Sequence, residues 1–165
     1  WGYQAFGVEP DVMTLAKGLG GGVPIGAFLA KEKCAVLEPG DHGSTFGGNP
    51  LTTAAANAST RYIIEHDIPA QAKDMGAYMT RGLEALRAKH SSLITGVRGM
   101  GLLIAVLFSS DISGKVVSAC NNEGLLLNPV RPNAIRIMPP LTISRGEIDE
   151  GLERLERGML KAAAG

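Results

Sequence analysis

The stretch Thr14–Ala27 constrains this chain most, because a single lysine stands in it between an apolar run and a cluster of glycines. The residues before the lysine, 11–16, predict a short buried strand. Lys17 follows at the carboxyl end of that strand, and ligands of open α/β sheets bind beyond the carboxyl ends of strands. A lysine in such a place can lose its proton and act as a nucleophile. The alternative is a surface lysine whose charged head stays in water before a flexible loop.

Three glycines, Gly20–Gly22, lie in the loop 18–24 that follows Lys17. Glycine lets the backbone approach a flat or anionic ligand closely and adopt positive φ. In a Walker phosphate-binding loop the lysine comes after the glycines and is followed by Ser or Thr, whereas here it comes before them. This order indicates that the lysine itself is the reactive group.

A second glycine-rich segment, 42–50, is rich in hydrogen-bond donors and stands before a predicted helix. Ser44 and Thr45 supply hydroxyls, and Asn49-Pro50 predicts an N-cap followed by proline at the first helical position. Hydroxyls and backbone N–H groups near the positive end of a helix are the components of a phosphate site. An ordinary loop whose Ser and Thr cap their own turns explains the segment equally well.

Arg136 is flanked by two isoleucines on the predicted strand 134–138, so a two-residue period points the arginine away from both of them. An arginine fixed on a strand can bind a carboxylate through two parallel hydrogen bonds. The alternative is an edge-strand arginine in solvent. Arg98 in the glycine turn 98–101 has the same two interpretations, and there we favour the structural role.

The histidines and cysteines suggest little chemistry. His66 and His90 lie near the ends of predicted helices, where we expect them to be solvated, and His42 adjoins the hydroxyl pair without a visible partner. Cys34 and Cys120 are too few and too isolated for a disulfide framework or a metal site, so we interpret them as ordinary thiols and predict no metal. A reducing cytoplasm fits this usage.

Composition excludes several classes of partner. The 165 residues carry 16 Lys and Arg against 16 Asp and Glu, which argues against nucleic acid or an anionic membrane as the main partner. The longest apolar runs, such as 102–108, are too short to span a bilayer, and no N-terminal stretch looks like a signal peptide. Because the chain begins at Trp1 in what looks like ordered sequence, we expect a fragment of a longer polypeptide.

The spacing of apolar residues predicts two strands and then two helices up to about residue 90. For the rest of the chain it predicts a β-β-α-β-β-α order. The first half is a piece of a larger α/β sheet, and the second is a small two-layer α+β unit. We place the domain boundary within the second long helix, so that residues 1–75 end a large domain and 76–165 form a small one. The predicted helices are 50–66, 69–90, 113–123 and one that opens at a capping box, 144–147; the predicted strands are 11–16, 25–30, 93–97, 102–108, 125–128 and 134–138, with a turn at 129–133.

At these residues the chain resembles the class-III pyridoxal-phosphate aminotransferases, the subgroup that includes acetylornithine, ornithine and 4-aminobutyrate aminotransferases. Residues 10–22 look like that family's cofactor-lysine segment, and 42–51 look like its second phosphate loop. Residues 98–102 resemble the start of its C-terminal small domain. The segments 124–128 and 135–141 are similar to the ending of acetylornithine aminotransferases in particular.

The resemblance implies the C-terminal part of an aspartate-aminotransferase-like fold (fold type I) and pyridoxal 5'-phosphate as the cofactor. It implies that Lys17 binds the cofactor covalently and then carries the proton between substrate and cofactor carbons. Ser44 and Thr45 would bind the cofactor phosphate, and Arg136 would hold a substrate carboxylate. In this family the phosphate loop reaches into the neighbouring subunit's site, which implies a homodimer with shared active sites.

The implied reaction moves an amino group from N-acetylornithine to 2-oxoglutarate in arginine synthesis, giving N-acetylglutamate semialdehyde and glutamate. Ornithine, 4-aminobutyrate and succinylornithine are alternative amine substrates, and a non-catalytic phosphate-binding domain is an alternative of another class. Three cofactor contacts of the family precede its lysine: an aspartate at the pyridine nitrogen, a first phosphate loop and an aromatic ring. Since none can be located here, we expect residues 1–165 alone not to catalyse transamination.

Overall fold

The computed structural model describes residues 1–164, which divide into two compact units. The first unit covers Trp1–His66 and the second begins at Asp67, where a long helix starts. The domain boundary after residue 75 stays a prediction. Within residues 1–164, no helix combines the length and the apolar character needed to cross a membrane.

The first unit contains a two-stranded antiparallel ribbon, in which β1 (Val12–Leu15) pairs with β2 (Ala27–Ala30). A 3₁₀ turn over Lys17–Gly20 follows β1 almost directly and occupies part of the predicted loop. The remaining elements are the short helix α1 (Gly2–Ala5), a second 3₁₀ turn (Glu32–Cys34) and the long helix α2 (Pro50–Glu65).

The prediction that residues 11–16 form a buried strand is wrong about burial. Val12 is 49% exposed, and along β1 exposed and half-buried side chains alternate. Within residues 1–164, β1 pairs with β2 alone, so its apolar side chains lack the neighbouring strands that would bury them. Because the ribbon is antiparallel, the rule for ligands at the carboxyl ends of parallel strands does not by itself account for the position of Lys17.

The second unit has the predicted β-β-α-β-β-α order, preceded by a long helix. Its strands form one antiparallel sheet in the order β3-β4-β6-β5. The elements are α3 (Ile68–Lys89), β3 (Ile94–Met100), β4 (Leu103–Phe108), α4 (Ser113–Asn122), β5 (Asn128–Arg131), β6 (Ala134–Ile137) and α5 (Arg145–Ala164).

Helices α3, α4 and α5 cover one face of this sheet. Alternate residues of β4, namely Ile104, Val106 and Phe108, are at most 2% exposed and pack in one core with the apolar stripes of the three helices. The stripes predicted on α3 and α5 are confirmed, because their members are buried or packed against that core; they are Ala72, Met75, Met79, Leu83 and Leu86, and Ile148, Leu152, Leu155 and Met159. The opposite face of the sheet carries the exposed side chains of Met100 and Leu103.

Local signals at the helix ends are also confirmed. The Ser144 N–H donates to Glu147 Oε2 at 2.8 Å and the Glu147 N–H donates to Ser144 Oγ at 3.3 Å, which is a reciprocal capping box before α5. Gly124 ends α4 with φ +75°, and the Leu125 N–H then donates to the Cys120 carbonyl at 2.9 Å.

The strand predicted at 125–128 and the turn predicted at 129–133 are wrong in their bounds. The strand β5 begins at Asn128 and runs through Pro129 to Arg131, leaving a turn of only two residues before β6. Proline has no N–H to donate, but β5 is an edge strand of the sheet, where a proline is tolerated. The apolar run 125–127 is instead irregular chain that follows the end of α4.

Candidate active site

Lys17 lies just beyond β1, at the first position of the 3₁₀ turn, and its side chain is exposed. Its backbone has φ +54°, a left-handed conformation that non-glycine residues seldom adopt. Asp67 is the other non-glycine residue with positive φ among residues 1–164, and aspartate tolerates this region far better than lysine. Such strain costs about 1–3 kcal/mol and is concentrated at functional sites, so the conformation sets Lys17 apart.

An open groove of about 610 Å³ brings Lys17 together with the second glycine-rich segment. Ser44 and Thr45 are both exposed, and Ser44 lines this groove whereas Thr45 does not. The groove is therefore bordered by an amine, a hydroxyl and small or apolar side chains; its other lining residues are Ala16, Pro24, Ile25, Gly26, Phe46, Gly47 and Gly48.

The loop that carries Ser44 needs glycine at position 47. A Cβ on Gly47 would stand 2.7 Å from Ser44 Oγ and 2.8 Å from Ser44 Cβ, which is closer than real atoms approach. The next residue, Gly48, has φ +65°. Glycine at these two positions lets the loop fold tightly and keeps Ser44 beside the groove.

Helix α2 begins where this loop ends, and its N-cap takes the form predicted from Asn49-Pro50. The Thr52 N–H donates to Asn49 Oδ1 at 3.1 Å, and Asn49 Nδ2 donates to the Phe46 carbonyl at 3.0 Å. Since Pro50 has no N–H and the Thr52 N–H is used by the cap, this helix end offers a ligand fewer backbone donors than the sequence suggested. Within residues 1–164 no hydrogen bond occupies the hydroxyls of Ser44 and Thr45, so these two groups are the available donors.

The carboxylates next to β1 are neutralised by other lysines. Lys31 Nζ lies 2.9 Å from Glu9 Oε1 and 3.4 Å from Asp11 Oδ1, and Lys33 Nζ lies 2.8 Å from Asp11 Oδ1. Lys31 lowers the pKa of Glu9, and Lys33, followed by Lys31, lowers the pKa of Asp11. Lys17 takes part in no ion pair within residues 1–164, so its amine is available to a ligand.

Arg136 belongs to the second unit, where it lies on β6 between β4 and β5. The alternative of an edge-strand arginine in solvent is therefore wrong. Ile135 on the same strand is completely buried in the core, and Arg136 is directed to the opposite face, as the two-residue period predicted. Arg136 Nε is buried and has no hydrogen-bond partner within residues 1–164. A carboxylate would satisfy that group.

Arg98 shares this face with Arg136, although its sequence context favoured a structural role. It pairs with Ala105 of β4, and Ala105 pairs on its other side with Arg136. The two arginines also line one groove, of about 460 Å³. The pairing of Arg98 with Ala105 could have been found from the sequence by counting residues on both sides of the glycine turn at 101. Residues directly opposite in a hairpin share a face.

Two lesser predictions have different outcomes. His90 is not solvated: it is half-buried, and its Nε2 lies 2.5 Å from Glu156 Oε1, where His90 and then Lys89 lower the pKa of Glu156. Cys120 is a buried thiol, as expected, and burial, with Glu123 as a smaller cause, raises its pKa to about 11. Neither residue belongs to the groove at Lys17.

Comparison with known families identifies the kind of protein to which these sites belong. The family model for aminotransferase class III matches residues 1–159. The chain belongs to the class-III aminotransferases. This confirms the resemblance inferred from the lysine segment, the second glycine-rich loop and the C-terminal segments.

Among curated relatives, the acetylornithine aminotransferase of Thermosynechococcus vestitus is 46% identical over 99% of this chain and 40% of its own length. The corresponding enzyme of Bacillus subtilis is 37% identical over 98% of this chain and 42% of its own length. The chain therefore spans about 40% of the length of the curated relatives it matches.

Solved structures agree on the fold. An S-selective transaminase from Arthrobacter sp. matches with a TM-score of 0.92 and 28% identity, over 100% of this chain and 41% of that one. The acetylornithine aminotransferase of Elizabethkingia anophelis matches with a TM-score of 0.88 and 35% identity, over 96% of this chain and 43% of that one. These likenesses confirm the predicted C-terminal part of an aspartate-aminotransferase-like fold.

Class-III aminotransferases use pyridoxal 5'-phosphate, so the cofactor expected from the resemblance is confirmed for the family. The groove in the first unit fits such a group in its chemistry. The amine of Lys17 suits an aldehyde, and the Ser44 hydroxyl, which has no protein partner within residues 1–164, suits a phosphate. The second hydroxyl, that of Thr45, follows directly in the chain but does not line the groove. The roles of Lys17, Ser44, Thr45 and Arg136 toward particular ligands remain predictions.

Proposed function

We propose that the protein containing this chain transfers the amino group of N-acetylornithine to 2-oxoglutarate. The observation that carries the proposal is the groove shared by Lys17 and Ser44, in which a lysine with left-handed backbone lies beside a tight glycine loop that presents the Ser44 hydroxyl. The named relatives at 37–46% identity support this choice of amine substrate. The product from N-acetylornithine is N-acetylglutamate semialdehyde, and glutamate is the product from 2-oxoglutarate.

Lys17 has two tasks in this reaction. Its amine binds pyridoxal 5'-phosphate covalently, and once released it takes a proton from the substrate carbon that bears the amino group and returns it on the cofactor side. The cofactor, when bound, supplies the electron sink that makes removal of this proton possible. The left-handed backbone at Lys17 fixes the direction in which the side chain leaves the 3₁₀ turn.

Ser44 and Thr45 are the proposed phosphate ligands. Each hydroxyl can donate one hydrogen bond to a phosphate oxygen, and a bond to a charged acceptor is stronger than one between neutral groups. Ser44 is favoured by its position on the groove wall. Thr45 does not line the groove at Lys17, which suits a hydroxyl that serves the neighbouring subunit's site instead.

Arg136 is the proposed ligand of a substrate carboxylate, most securely the α-carboxylate of glutamate. Its fixed place on an interior strand limits the loss of side-chain entropy on binding, and its unpartnered buried Nε needs an acceptor. Two parallel N–H···O bonds would orient the substrate as well as bind it.

The proposed working form is a homodimer in the cytoplasm. Phe46 and Leu51 flank the start of α2 and are 83% and 75% exposed, so their apolar side chains are available to another surface. A second copy of the protein would cover them and would place the 42–51 loop next to the neighbouring site. Free cysteines at 34 and 120 suit a reducing compartment.

The test is an amino-transfer assay on the full-length protein with 2-oxoglutarate and four amines: N-acetylornithine, ornithine, 4-aminobutyrate and succinylornithine. We expect the highest kcat/KM with N-acetylornithine. A higher value with another amine would replace the substrate but keep the reaction class, and the lack of glutamate formation with every amine would refute the proposal. Residues 1–165 expressed alone should form no glutamate, since they span only about 40% of the related enzymes.

A further inference from the structure

The exposed face of the second unit's sheet carries a row of residues that the proposed roles do not fully use. The row runs across three strands, from Arg98 on β3 through Ala105 on β4 to Arg136 on β6. We call these three residues the arginine row. Directly opposed residues of an antiparallel sheet project to the same face, so both guanidinium groups rise from one side.

The spacing of the row suits two cations that act on one bound anion. Two strand spacings of about 4.8 Å each separate the backbones of the two arginines. Ala105 between them has only a methyl group, which leaves room above the sheet. Both arginines line the same groove, together with exposed apolar side chains such as Met100 and Leu103.

No carboxylate within residues 1–164 pairs with the two arginines of the row. The four strands of the sheet contain three arginines and no Asp or Glu. Within residues 1–164, neither Arg98 nor Arg136 forms an ion pair with a carboxylate, whereas Arg87, Arg154 and Arg157 each do. Within residues 1–164 the two cations face no paired carboxylate, and an anion bound between them would relieve their mutual repulsion.

Arg136 also offers an unfilled hydrogen-bonding position, since its buried Nε has no partner within residues 1–164. Arg98, in contrast, is exposed and makes no hydrogen bond through its side chain to any residue in that range. The guanidinium of Arg98 is therefore available to a ligand, and no hydrogen bond within residues 1–164 supports the structural interpretation.

We propose that Arg98 is a specificity-determining residue: together with Arg136 it makes the exposed face of this sheet a site for dicarboxylates, and it strengthens their binding through its charge. Arg136 holds one carboxylate, and the charge of Arg98 favours a ligand with two negative charges over a ligand with one. This inference rests on the proposed function, which supplies 2-oxoglutarate and glutamate as the dicarboxylates. It adds to that function a residue whose part is to select the dicarboxylate partner.

The test compares three variants of the full-length protein: Arg98→Gln, Arg98→Lys and Arg131→Gln. Arg131 is the matched control, because it lies in the same sheet, loses the same charge and does not line the groove. Binding of glutarate, a dicarboxylate that cannot react, is measured by calorimetry. The KM for 2-oxoglutarate and kcat are measured alongside.

We expect Arg98→Gln to weaken glutarate binding and to raise the KM for 2-oxoglutarate by about two- to fivefold, with kcat changed by less than about 1.5-fold. Arg98→Lys should recover most of the loss because it keeps the charge, and Arg131→Gln should match the wild type. Unchanged glutarate binding in Arg98→Gln would overturn the inference, and so would an equal loss in Arg131→Gln or a fall in kcat at constant KM. Should the wild type form no glutamate, the proposed function fails, and the glutarate titration still decides the role of Arg98.

Discussion

Gly76 on α3 lies against Gly101 in the β3–β4 turn, so closely that a Cβ on Gly76 would stand 2.2 Å from the Gly101 carbonyl oxygen. The obstructing atoms are backbone and cannot rotate away as the end of a side chain can. This contact therefore sets how near α3 comes to the sheet whose exposed face carries Arg98 and Arg136.

The first prediction follows from that contact. Gly76→Ala should lower the free energy of unfolding of the second unit by about 1–3 kcal/mol or more, because the added methyl group forces the helix away from the hairpin. Gly151→Ala on α5 is the matched control, since nothing lies within 4 Å of the added Cβ. In a helix interior that change should stabilise by about 0.5–1 kcal/mol. Urea unfolding of the full-length variants measures both, and equal midpoints for the two would contradict the account.

The second prediction concerns Glu123, which follows α4 and accepts hydrogen bonds from Arg157 and Lys161 of α5. Arg157, then Lys161, lower the pKa of Glu123 from its usual 4.5 to about 2. A carboxyl group whose pKa is lower in the folded than in the unfolded state stabilises the fold at any pH above its unfolded-state pKa. This stabilisation is lost as the pH falls toward its folded-state pKa. Wild-type protein should therefore exceed Glu123→Gln in stability above pH 5, and the difference should shrink between pH 4.5 and pH 2.

Unfolding midpoints at pH 3, 5 and 7 test this dependence. Glu153→Gln is the control, because Glu153 is exposed on α5 and forms no ion pair within residues 1–164. The pH dependence of the Glu123→Gln difference is read against that of this control. A Glu123→Gln difference that stays constant from pH 7 to pH 3 would show that the ion pairs to α5 do not form.

The third prediction separates the phosphate ligands. Removal of a hydroxyl that donates to a phosphate should weaken cofactor binding by roughly ten- to a hundredfold, since a hydrogen bond to a charged group contributes about 1.5–3 kcal/mol. Ser44→Ala and Thr45→Val should weaken binding of pyridoxal 5'-phosphate but not of pyridoxal, which has no phosphate. Ser59→Ala on α2 serves as the control. Equal losses for both ligands would show that the hydroxyls only maintain the loop.

The fourth prediction concerns Arg136. Arg136→Gln should raise the KM for 2-oxoglutarate by roughly a hundredfold, because the two parallel charged hydrogen bonds are lost together. Arg136→Lys should recover only part of this loss, since an ammonium cannot make both bonds in one plane. Steady-state kinetics of the full-length variants provide the measurement. A lysine variant equal to wild type would argue against a bidentate carboxylate contact.

Most of the fold that was predicted correctly from the sequence was predicted from helical periodicity and from signals at helix ends. The stripes on α3 and α5, the capping box at Ser144 and the C-terminal Gly124 are all local signals, and each is formed by residues within one or two turns. The strands were harder, because an apolar run such as 125–127 looks like a strand until its neighbours are known. Pro129 suggested a turn, and only the edge position of β5 explains why a strand runs through it.

The candidate site was predictable in its residue types but not in its arrangement. The sequence indicated Lys17 and the hydroxyl loop separately, and only the folded chain shows that Ser44 rather than Thr45 borders the groove. Arg98 was assigned a structural role because its pairing with Ala105 depends on the register of a hairpin. The pairing of Ala105 with Arg136 on its other side depends on contact between β4 and β6, which no single segment encodes.

The covalent attachment of the cofactor to Lys17 is the central claim, and it can be measured directly. The full-length protein is mixed with pyridoxal 5'-phosphate, reduced with borohydride, digested and mapped by mass spectrometry. We expect one major labelled peptide, with the label on Lys17. The label should be lost in Lys17→Ala and kept in Lys33→Ala, which removes an exposed lysine of the same unit. A label on another lysine, or none in the wild type, would contradict the account.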